Sequence, residues 1–228
     1  MSHGRGGDAG PPRAERGKGP GGGKPAAAGN GGGKGGQNLL RIVGGRWRSR
    51  RIRFGDGDGL RPTPDRVRET LFNWLQFEIA GAVCLDAFAG SGALGFEALS
   101  RGAARVVMIE QSRAQLDHLQ AAVRELGAEA AQLVYGDSLA LLGAAPAWAP
   151  AGGFDGVFLD PPFHRDLLPR VCTLLHAAHL LKPDAFVYVE SESSWEALGL
   201  PPVFEQTRST RAGLVNAWLA RYRPDPAA

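Results

Sequence analysis

The chain has 228 residues, 43% of them hydrophobic, which is enough for one sizeable folded domain with additional segments. Its net charge of +3 is unevenly distributed along the chain: residues 1–80 contain 15 Lys and Arg against 7 Asp and Glu, whereas residues 81–228 contain 11 Lys and Arg against 16 Asp and Glu. The N-terminal part therefore suits a polyanionic partner. The two cysteines lack metal or redox spacing, no apolar run reaches roughly 18 residues, and the N-terminus has no apolar stretch, so we expect a cytoplasmic protein without a disulfide framework, membrane helix or secretory signal.

Residues 1–37 form a low-complexity tail. They contain 15 Gly, six basic and two acidic residues, and almost no large apolar side chain. Such a segment cannot offset its ordering entropy by burial, so we expect it to be disordered. Its scattered cations could add weak phosphate affinity, but a solvated tail explains the composition better.

Residues 38–60 are predicted to form a basic β-hairpin, because two short extended runs flank Gly44-Gly45 in "LLRIVGGRWRSRRIRF". Trp47 and Phe54 are interleaved with arginines, and that mixture is typical of nucleic-acid binding, in which arginines contact phosphates and aromatic rings stack on bases. The alternative is a charged edge strand that protects against aggregation. The six arginines are Arg41, Arg46, Arg48, Arg50, Arg51 and Arg53.

The main folded domain is expected over residues 61–222, followed by a short tail at 223–228. It begins with "RPTPDRVRETLFNWLQFE", which predicts a helix with Thr63 as N-cap and Pro64 in the first position. Arg61, Arg66 and Arg68 would lie at the start of that helix, and its apolar residues at helical spacing would pack on the body.

From residue 82 onward, strand and helix patterns alternate, which predicts an α/β fold: a parallel sheet with helices on both faces. The last segment, 203–221, reads as an antiparallel hairpin around Ala212-Gly213 and would add two edge strands, giving a seven-stranded, mainly parallel sheet. The predicted strands are 82–88, 104–110, 131–137, 154–160 and 184–192, and the predicted helices are 91–102, 112–127 and 165–181.

The glycine-rich stretch "DAFAGSGALG", residues 86–95, follows the first predicted strand of the sheet and opens a helix. Gly90, Gly92 and Gly95 form G-x-G-x-x-G, and Glu110 ends the next strand 20 residues after Gly90. That spacing fits a site for a dinucleotide or for S-adenosylmethionine, because both ligands carry an adenosine ribose whose hydroxyls an acid can bind. The alternative is a turn that only allows tight packing of strand and helix.

Two carboxylates favour S-adenosylmethionine. Asp86 precedes the glycines, where it could hold water or the methionine ammonium but would repel a pyrophosphate. Asp137 ends the third strand of the sheet, where it could accept from the adenine amino group, cap the following helix, or do both.

The stretch "FLDPPF", residues 158–163, leaves the fourth strand of the sheet, which should lie beside the first at the switch point of strand order. Two prolines make a stiff turn. The carboxylate of Asp160 and the carbonyl of Pro161 could accept both hydrogens of a base amino group and direct its lone pair at a methyl donor, while Phe163 stacks on the base. Pro162 completes the turn.

These blocks resemble the bacterial 16S rRNA (guanine(966)-N(2))-methyltransferase family over roughly residues 38–220, together with "RIVGGRWRSRRI", "GLRPTPDRVRETLFNWL" and "YVESE". The resemblance implies a Rossmann-like methyltransferase, S-adenosyl-L-methionine as cofactor, and 16S rRNA, within the small ribosomal subunit or its precursor, as substrate of a monomer. By motif position it assigns cofactor binding to Asp86, Ala87, Phe88, Gly90, Gly92, Glu110 and Asp137. It assigns the target base to Asp160, Pro161, Pro162 and Phe163, and it places Arg61, Thr63 and Arg66 near the cofactor or the substrate RNA. The RNA contacts expected from the arginine cluster itself are Arg46, Arg48, Arg50 and Arg51.

Other interpretations remain at this point. A nicotinamide-dependent dehydrogenase explains the glycines but leaves residues 160–163 without a role, and a non-catalytic RNA-binding module leaves the cofactor motif unexplained. The same chemistry would also serve adenine N6 or cytosine N4, in RNA or DNA. His176 and His179 lack a third ligand, so no metal is expected, and Glu190 and Glu192 could be solvated strand-end charges or site residues.

Overall fold

The folded body begins with a small antiparallel hairpin. The structure, a computed structural model, describes residue 10 and residues 38–55, 62–144, 146–162 and 167–224. Strand β1 (Asn38–Arg41) pairs with β2 (Arg51–Phe54), and a 3₁₀ helix, Gly45–Trp47, lies in their connection. The predicted hairpin is therefore confirmed, but its connection spans residues 42–50 rather than a tight turn at the two glycines.

Helix α1 (Asp65–Trp74) follows and packs on the body through Val67, Leu71 and Phe72, which are buried. Its existence agrees with the sequence, but the predicted N-cap is wrong. Pro64 occupies the cap position and no side chain caps the helix. The hydroxyl of Thr63 instead donates to a carboxylate outside the helix, so this residue belongs to the site described below.

Seven strands form the central sheet, as predicted. Their order is β5-β4-β3-β6-β7-β9-β8; the first five pair in parallel and the last two are antiparallel. The chain order reverses beside β3, which lies between β4 and β6. The strands are β3 (Val83–Asp86), β4 (Arg105–Glu110), β5 (Ala131–Tyr135), β6 (Phe154–Leu159), β7 (Leu181–Ser191), β8 (Phe204–Ala212) and β9 (Val215–Tyr222).

Four further helices connect the strands: α2 (Ala93–Ser100), α3 (Arg113–Leu126), α4 (Ser138–Gly143) and α5 (Leu167–Ala177). Helix α3 begins and ends as its sequence directs. The Ser112 hydroxyl accepts from the N–H of Gln115, and Gly127 ends the helix in the left-handed conformation that favours glycine.

The sheet separates two apolar clusters, because successive side chains on a strand point to opposite faces. On β6, Phe158 belongs to the cluster beneath α1, α2 and α3, while Val157 and Leu159 belong to the cluster beneath α5. The Phe158 ring lies 5.9 Å from that of Phe72 and 5.5 Å from that of Phe186. This is the predicted α/β architecture with both faces covered.

The hairpin shares the first of these clusters and is also held by buried charge. Glu97 of α2 is fully buried, and its carboxylate accepts from the backbone N–H groups of Val43 (2.8 Å) and Gly44 (2.7 Å). The same carboxylate accepts from Arg68 (3.2 Å) and Arg101 (2.8 Å). Removing one partner of such a buried group typically costs about 3–5 kcal/mol, so Glu97 is a main attachment of the hairpin.

Arg68, fully buried, connects the hairpin to the chain segment before α1. Its guanidinium donates to the carbonyl of Arg41 (2.8 Å), to the carbonyl of Thr63 (3.1 Å) and to Asp65 (2.5 Å). The backbone at Thr63 is thus fixed by the same side chain that fixes the end of β1.

Several predictions fall on residues outside the described part. These are the tail 1–37, apart from residue 10, the segment 56–61 with Arg61, the segment 163–166 with Phe163, and the end of the chain from residue 225. They stay predictions from the sequence.

Candidate active site

Three acidic side chains meet at one edge of the sheet, because the carboxyl ends of parallel strands lie together there. Asp86 ends β3, Glu110 ends β4, and Asp160 follows β6, which pairs with β3 on its other side. In open α/β sheets ligands bind at this edge, at the point where strand order reverses. The predicted cofactor and target-base residues therefore lie on adjacent strands.

The glycine turn requires its glycines. Gly92 has φ of +78°, and a Cβ there would lie 2.5 Å from the ring of Phe96. A Cβ on Gly95 would lie 2.1 Å from the Met108 side chain, so this glycine lets α2 pack directly on β4. Gly92 therefore permits the turn, and Gly95 permits the close packing of α2 on β4. The N–H of Gly90 remains available to bond a carboxylate.

Glu110 is buried and spans the glycine turn. One carboxylate oxygen accepts from the N–H of Gly90 at 2.8 Å, and the other accepts from the N–H of Ser112 at 2.6 Å. Each oxygen has a second lone pair, so the group can still accept from a ribose hydroxyl pair. An adenosine ribose, whose two adjacent hydroxyls can donate, fits these acceptors.

Asp86 is buried beneath the turn. Its carboxylate accepts from the N–H of Gly95 at 3.1 Å. Burial raises the pKa of Asp86 to about 7, and the charge of Glu110 adds to the rise, while backbone hydrogen bonds from Gly95 and Phe88 oppose it. A desolvated carboxylate of this kind gains from a cationic ligand such as an ammonium. Ala87 is fully buried, and Phe88 is half-buried in the same turn.

Asp137 caps α4. Its carboxylate accepts from the N–H of Ala140 at 2.9 Å, and the side chain is exposed. The neighbouring Ser138 hydroxyl donates to the carbonyl of Ala87, which ties this loop to the glycine turn. The capping role considered from the sequence is confirmed, and the remaining acceptor capacity of the carboxylate faces no described partner.

Asp160 begins the stiff turn after β6. Burial, and then the adjacent charge of Glu190, raise the pKa of Asp160 well above its ordinary value. The hydroxyl of Thr63 lies 3.4 Å from its Oδ2. Pro161 is buried and Pro162 is exposed, so the turn leaves the sheet towards solvent.

A second carboxylate lies beside Asp160 and was left undecided by the sequence. Glu190, near the end of β7, is 4% exposed. Its Oε1 accepts from the Thr63 hydroxyl at 2.7 Å and from the Tyr188 hydroxyl at 2.8 Å. The available signal was position, because β7 pairs with β6 and so places Glu190 next to Asp160. The resemblance places Thr63 near the cofactor or substrate, but its bond to Glu190 had no signal in the sequence, where Thr63 has the context of a helix cap.

The arginines of the hairpin are exposed, but its aromatic residues are not. Trp47 is 7% and Phe54 is 6% exposed, so neither is available to stack on a base, contrary to expectation. The Arg46 guanidinium lies over the Trp47 ring, 4.1 Å from its centre. Two arginines have acidic neighbours from outside the hairpin: Arg41 is 2.7 Å from Asp65, and Arg50 is 4.0 Å from Glu125.

A groove of about 450 Å³ separates the hairpin from the segment before α1. Arg41 and Arg51 line one side, and Thr63 and Asp65 line the other. Arg66 is exposed on the first turn of α1. The groove brings two hairpin arginines to the residue that also contacts Asp160.

The hairpin connection lies away from the acidic edge, towards the amino ends of the parallel strands. Its residues Gly44 and Trp47 bond the hydroxyl of Ser100, which ends α2. Eight helical residues from Ala93 to Ser100 span about 10 Å along the helix axis. Arg46 and Arg48 are therefore placed further from the acidic edge than the groove arginines.

Two general findings concern the described residues. They contain no group of three or more His, Cys, Asp and Glu that could hold a metal ion. None of their helices combines the length and apolarity needed to cross a bilayer.

Comparison with known proteins agrees with this architecture. Residues 40–221 match the family described as Conserved hypothetical protein 95. Ribosomal RNA small subunit methyltransferase D of Escherichia coli (strain K12) is 47% identical over 74% of this chain and 81% of its own length. The protein of the same name from Haemophilus influenzae is 46% identical over 67% of this chain and 79% of its own.

Solved structures show the same relationship. The Escherichia coli protein yhhF has a TM-score of 0.72 and 41% identity, covering 82% of this chain and all of that one (100%). An RNA methyltransferase from Salinibacter ruber, solved with S-adenosyl-L-homocysteine, has a TM-score of 0.54 and 17% identity over 72% of this chain and 95% of that one, which shows a shared fold. The chain has the Rossmann-like methyltransferase fold and belongs to the family of the ribosomal RNA small subunit methyltransferases D.

Proposed function

We propose that this protein transfers a methyl group from S-adenosylmethionine to the exocyclic N2 amino group of a guanine in 16S rRNA. The observation that carries the proposal is the position of Asp160 and Pro161 directly after β6, which pairs in parallel with β3 and so ends at the same edge of the sheet as the strand that leads into the glycine turn. Guanine and its N2 atom follow from the family, since the same arrangement could accept any base amino group.

Glu110, Asp86 and the glycine turn would hold the cofactor. Glu110 would accept from the ribose hydroxyls, and the Asp86 carboxylate would lie at the ammonium end. S-adenosylmethionine, when bound, supplies an electrophilic methyl group on a positively charged sulfur. A dinucleotide is a poorer fit, because the desolvated Asp86 carboxylate below the turn would repel a pyrophosphate.

The target amino group would be held by Asp160 and Pro161. The nitrogen lone pair of a base amino group is delocalised into the ring, so the group is a weak nucleophile. A carboxylate oxygen and a backbone carbonyl that accept its two hydrogens favour a geometry in which the lone pair points at the methyl carbon. The raised pKa of Asp160 also suits a group that accepts the proton the nitrogen loses.

The RNA backbone would follow the hairpin and the groove towards Asp160. Arg46, Arg48, Arg50 and Arg51 of the hairpin are exposed, as is Arg66 beside the groove. Clustered arginines of this kind contact phosphates and make binding salt-dependent. Arg61 and Phe163 would contribute from the adjoining undescribed segments.

The setting of the reaction belongs to the proposal as well. We place the enzyme in the cytoplasm, acting as a monomer on the small ribosomal subunit or its precursor. Both cysteines, Cys84 and Cys172, are free and buried, which suits a reducing compartment.

The proposal is tested with Asp160→Ala. We expect methyl transfer to 16S rRNA to fall on the order of 10²-fold or more, as it does when a positioned polar group is removed from an active site, while cofactor affinity and fold are retained. Transfer is measured with labelled cofactor, affinity by calorimetry, and the modified nucleoside by mass spectrometry. Near-normal turnover of the variant would contradict the role of Asp160, and a product other than N2-methylguanosine would contradict the target base.

A further inference from the structure

Glu190 is a buried carboxylate that the proposed reaction does not use. It is 4% exposed and lies one strand away from Asp160. Within the described residues, no Lys or Arg forms an ion pair with it, and its contacts are the hydroxyls of Thr63 and Tyr188. Burying an uncompensated carboxylate is costly, and a neutral residue would fill the same space at lower cost.

The hydrogen-bond arrangement suggests what this carboxylate does. The Thr63 hydroxyl has one hydrogen, and two carboxylate oxygens lie within its reach, Glu190 Oε1 at 2.7 Å and Asp160 Oδ2 at 3.4 Å. The shorter bond goes to Glu190, which leaves Asp160 free to accept from a ligand. Tyr188 donates to the same Oε1 and fixes its position from within the sheet.

Three separate chain segments meet at this point. Glu190 and Tyr188 are on β7, Asp160 follows β6, and Thr63 precedes α1. The carbonyl of Thr63 is held by the buried Arg68 at 3.1 Å, so both the backbone and the side chain of Thr63 are fixed. Perturbed buried carboxyls concentrate at functional sites.

We infer that Glu190 is a positioning residue for methyl transfer. Acting through the Thr63 hydroxyl, it holds the segment before α1 against the turn at Asp160 and keeps the Asp160 carboxylate directed at the target amino group. This inference rests on the proposed function. It assigns Thr63, which is only 3% exposed, to the geometry of the reacting group.

The test compares four variants with the wild type. Glu190→Gln keeps the shape and one acceptor oxygen, whereas Glu190→Ala removes both acceptors. Thr63→Val removes the hydroxyl without changing the shape, and Thr63→Ser restores it. Glu196→Gln, an exposed position after β7, is the matched control.

We expect Glu190→Ala and Thr63→Val each to lower kcat roughly 10- to 100-fold, since a small misplacement of a reacting group has that effect. KM for RNA and the cofactor dissociation constant should stay at wild-type values, and Thr63→Ser should recover most of kcat. Because Glu190 acts through Thr63, the double variant Glu190→Ala/Thr63→Val should lose no more kcat than the more impaired of the two single variants. A purely structural role would instead change thermal stability and both affinities together.

The outcomes separate this inference from the proposed function. If the wild type methylates 16S rRNA and both Thr63→Val and Glu190→Ala keep its kcat, the positioning role is wrong and the function stands. Additive losses in the double variant would also overturn the role, because the two residues would then act independently. A wild type that transfers no methyl group to rRNA would overturn the proposed function and this inference together.

Discussion

Individual residues at the acidic edge have two tasks each. Glu110 accepts from the N–H groups of Gly90 and Ser112, so it shapes the glycine turn as well as offering lone pairs to a ligand. Thr63 fixes the chain before α1 and donates to Glu190. A single substitution at Glu110 therefore changes geometry and binding together, and a conservative variant is needed to separate them.

Glu110→Gln is the conservative variant for cofactor binding. The amide keeps one acceptor oxygen but cannot serve both backbone N–H groups and the ribose hydroxyls. We expect the affinity for S-adenosylmethionine to fall by about 1.5–3 kcal/mol, the range for hydrogen bonds to charged groups. Calorimetric titration measures this, with the exposed Glu129→Gln as control. An unchanged dissociation constant would show that the ribose is held elsewhere.

At the scale of elements, the hairpin is an integral part of the body. Its buried side chains join the core beneath α1 and α2, and Glu97 bonds its backbone directly. Alternation along β2 then decides what faces outward: Ile52 and Phe54 are buried, while Arg51 and Arg53 are exposed. The core thus holds the arginines in fixed positions, which a flexible segment of the same composition would not do.

Salt dependence of RNA binding tests the hairpin. Each phosphate that an arginine neutralises releases counterions, so removing two such contacts should lower the slope of log K against log salt by about 1–2. We expect this for Arg51→Ala/Arg53→Ala and for Arg46→Ala/Arg48→Ala, with cofactor affinity unchanged. Filter binding of 16S rRNA at several salt concentrations measures the slope.

The control pair, Lys182→Ala/Arg223→Ala, makes the same change in charge outside the hairpin, at the start of β7 and beyond the end of β9. Its slope should match that of the wild type. If the control pair flattens the slope as much as the hairpin pairs do, net charge rather than the hairpin governs RNA binding.

At the scale of the whole molecule, the buried carboxyls of the site lower the free energy of unfolding of the ligand-free protein at neutral pH. Burial raises the pKa of Asp86 to about 7, and the pKa values of Asp160 and Glu190 are raised as well. By contrast, the pKa values of Asp65 and Asp155 are lowered, although burial alone would raise them. Hydrogen bonds and charge from Arg41 and Arg68 lower the pKa of Asp65, and those from Lys182 lower the pKa of Asp155. A cationic ligand would relieve the first group, so cofactor binding and stability are coupled.

This coupling predicts a pH dependence. A carboxyl with a raised pKa stays protonated in the folded state while the unfolded chain ionises near pH 4, so the free energy of unfolding falls as pH rises from about 4 to 7. The lowered carboxyls act in the other direction, and their contribution is lost only below about pH 4. We expect the ligand-free protein to be most stable near pH 5 and less stable at pH 8.

Asp86→Asn isolates the contribution of this carboxyl. At pH 8 it should raise the free energy of unfolding by about 2–4 kcal/mol, because about 1.4 kcal/mol accompanies each unit of pKa shift, and it should weaken cofactor binding. Urea unfolding at several pH values measures the free energy of unfolding of the wild type and the variant, and calorimetric titration measures the affinity for the cofactor. Equal stability of the wild type at pH 5 and pH 8 would contradict the predicted desolvation of Asp86.

The sequence by itself determined the order of the elements and the residues at the strand ends. Periodicity of two or 3.6 residues, glycines such as Gly127 and the cap at Ser112 are local signals, and local sterics and hydrogen bonds decide them. Parallel strands place their carboxyl ends on one edge, so Asp86, Glu110 and Asp160 could be assigned to one site without coordinates. The seven-stranded sheet with its antiparallel edge was predictable because strand and helix patterns alternate along the chain and a hairpin signal ends it.

Only the tertiary structure decided which side chains are free to act. Trp47 and Phe54 look like base-stacking residues in the sequence, yet packing in the core cluster beneath α1, α2 and α3 buries them. Thr63 has the context of a helix cap, but Glu190, 127 residues later in the chain, takes its hydroxyl. Contacts between residues so distant in the chain depend on how the layers pack, and no local pattern in the sequence records that packing.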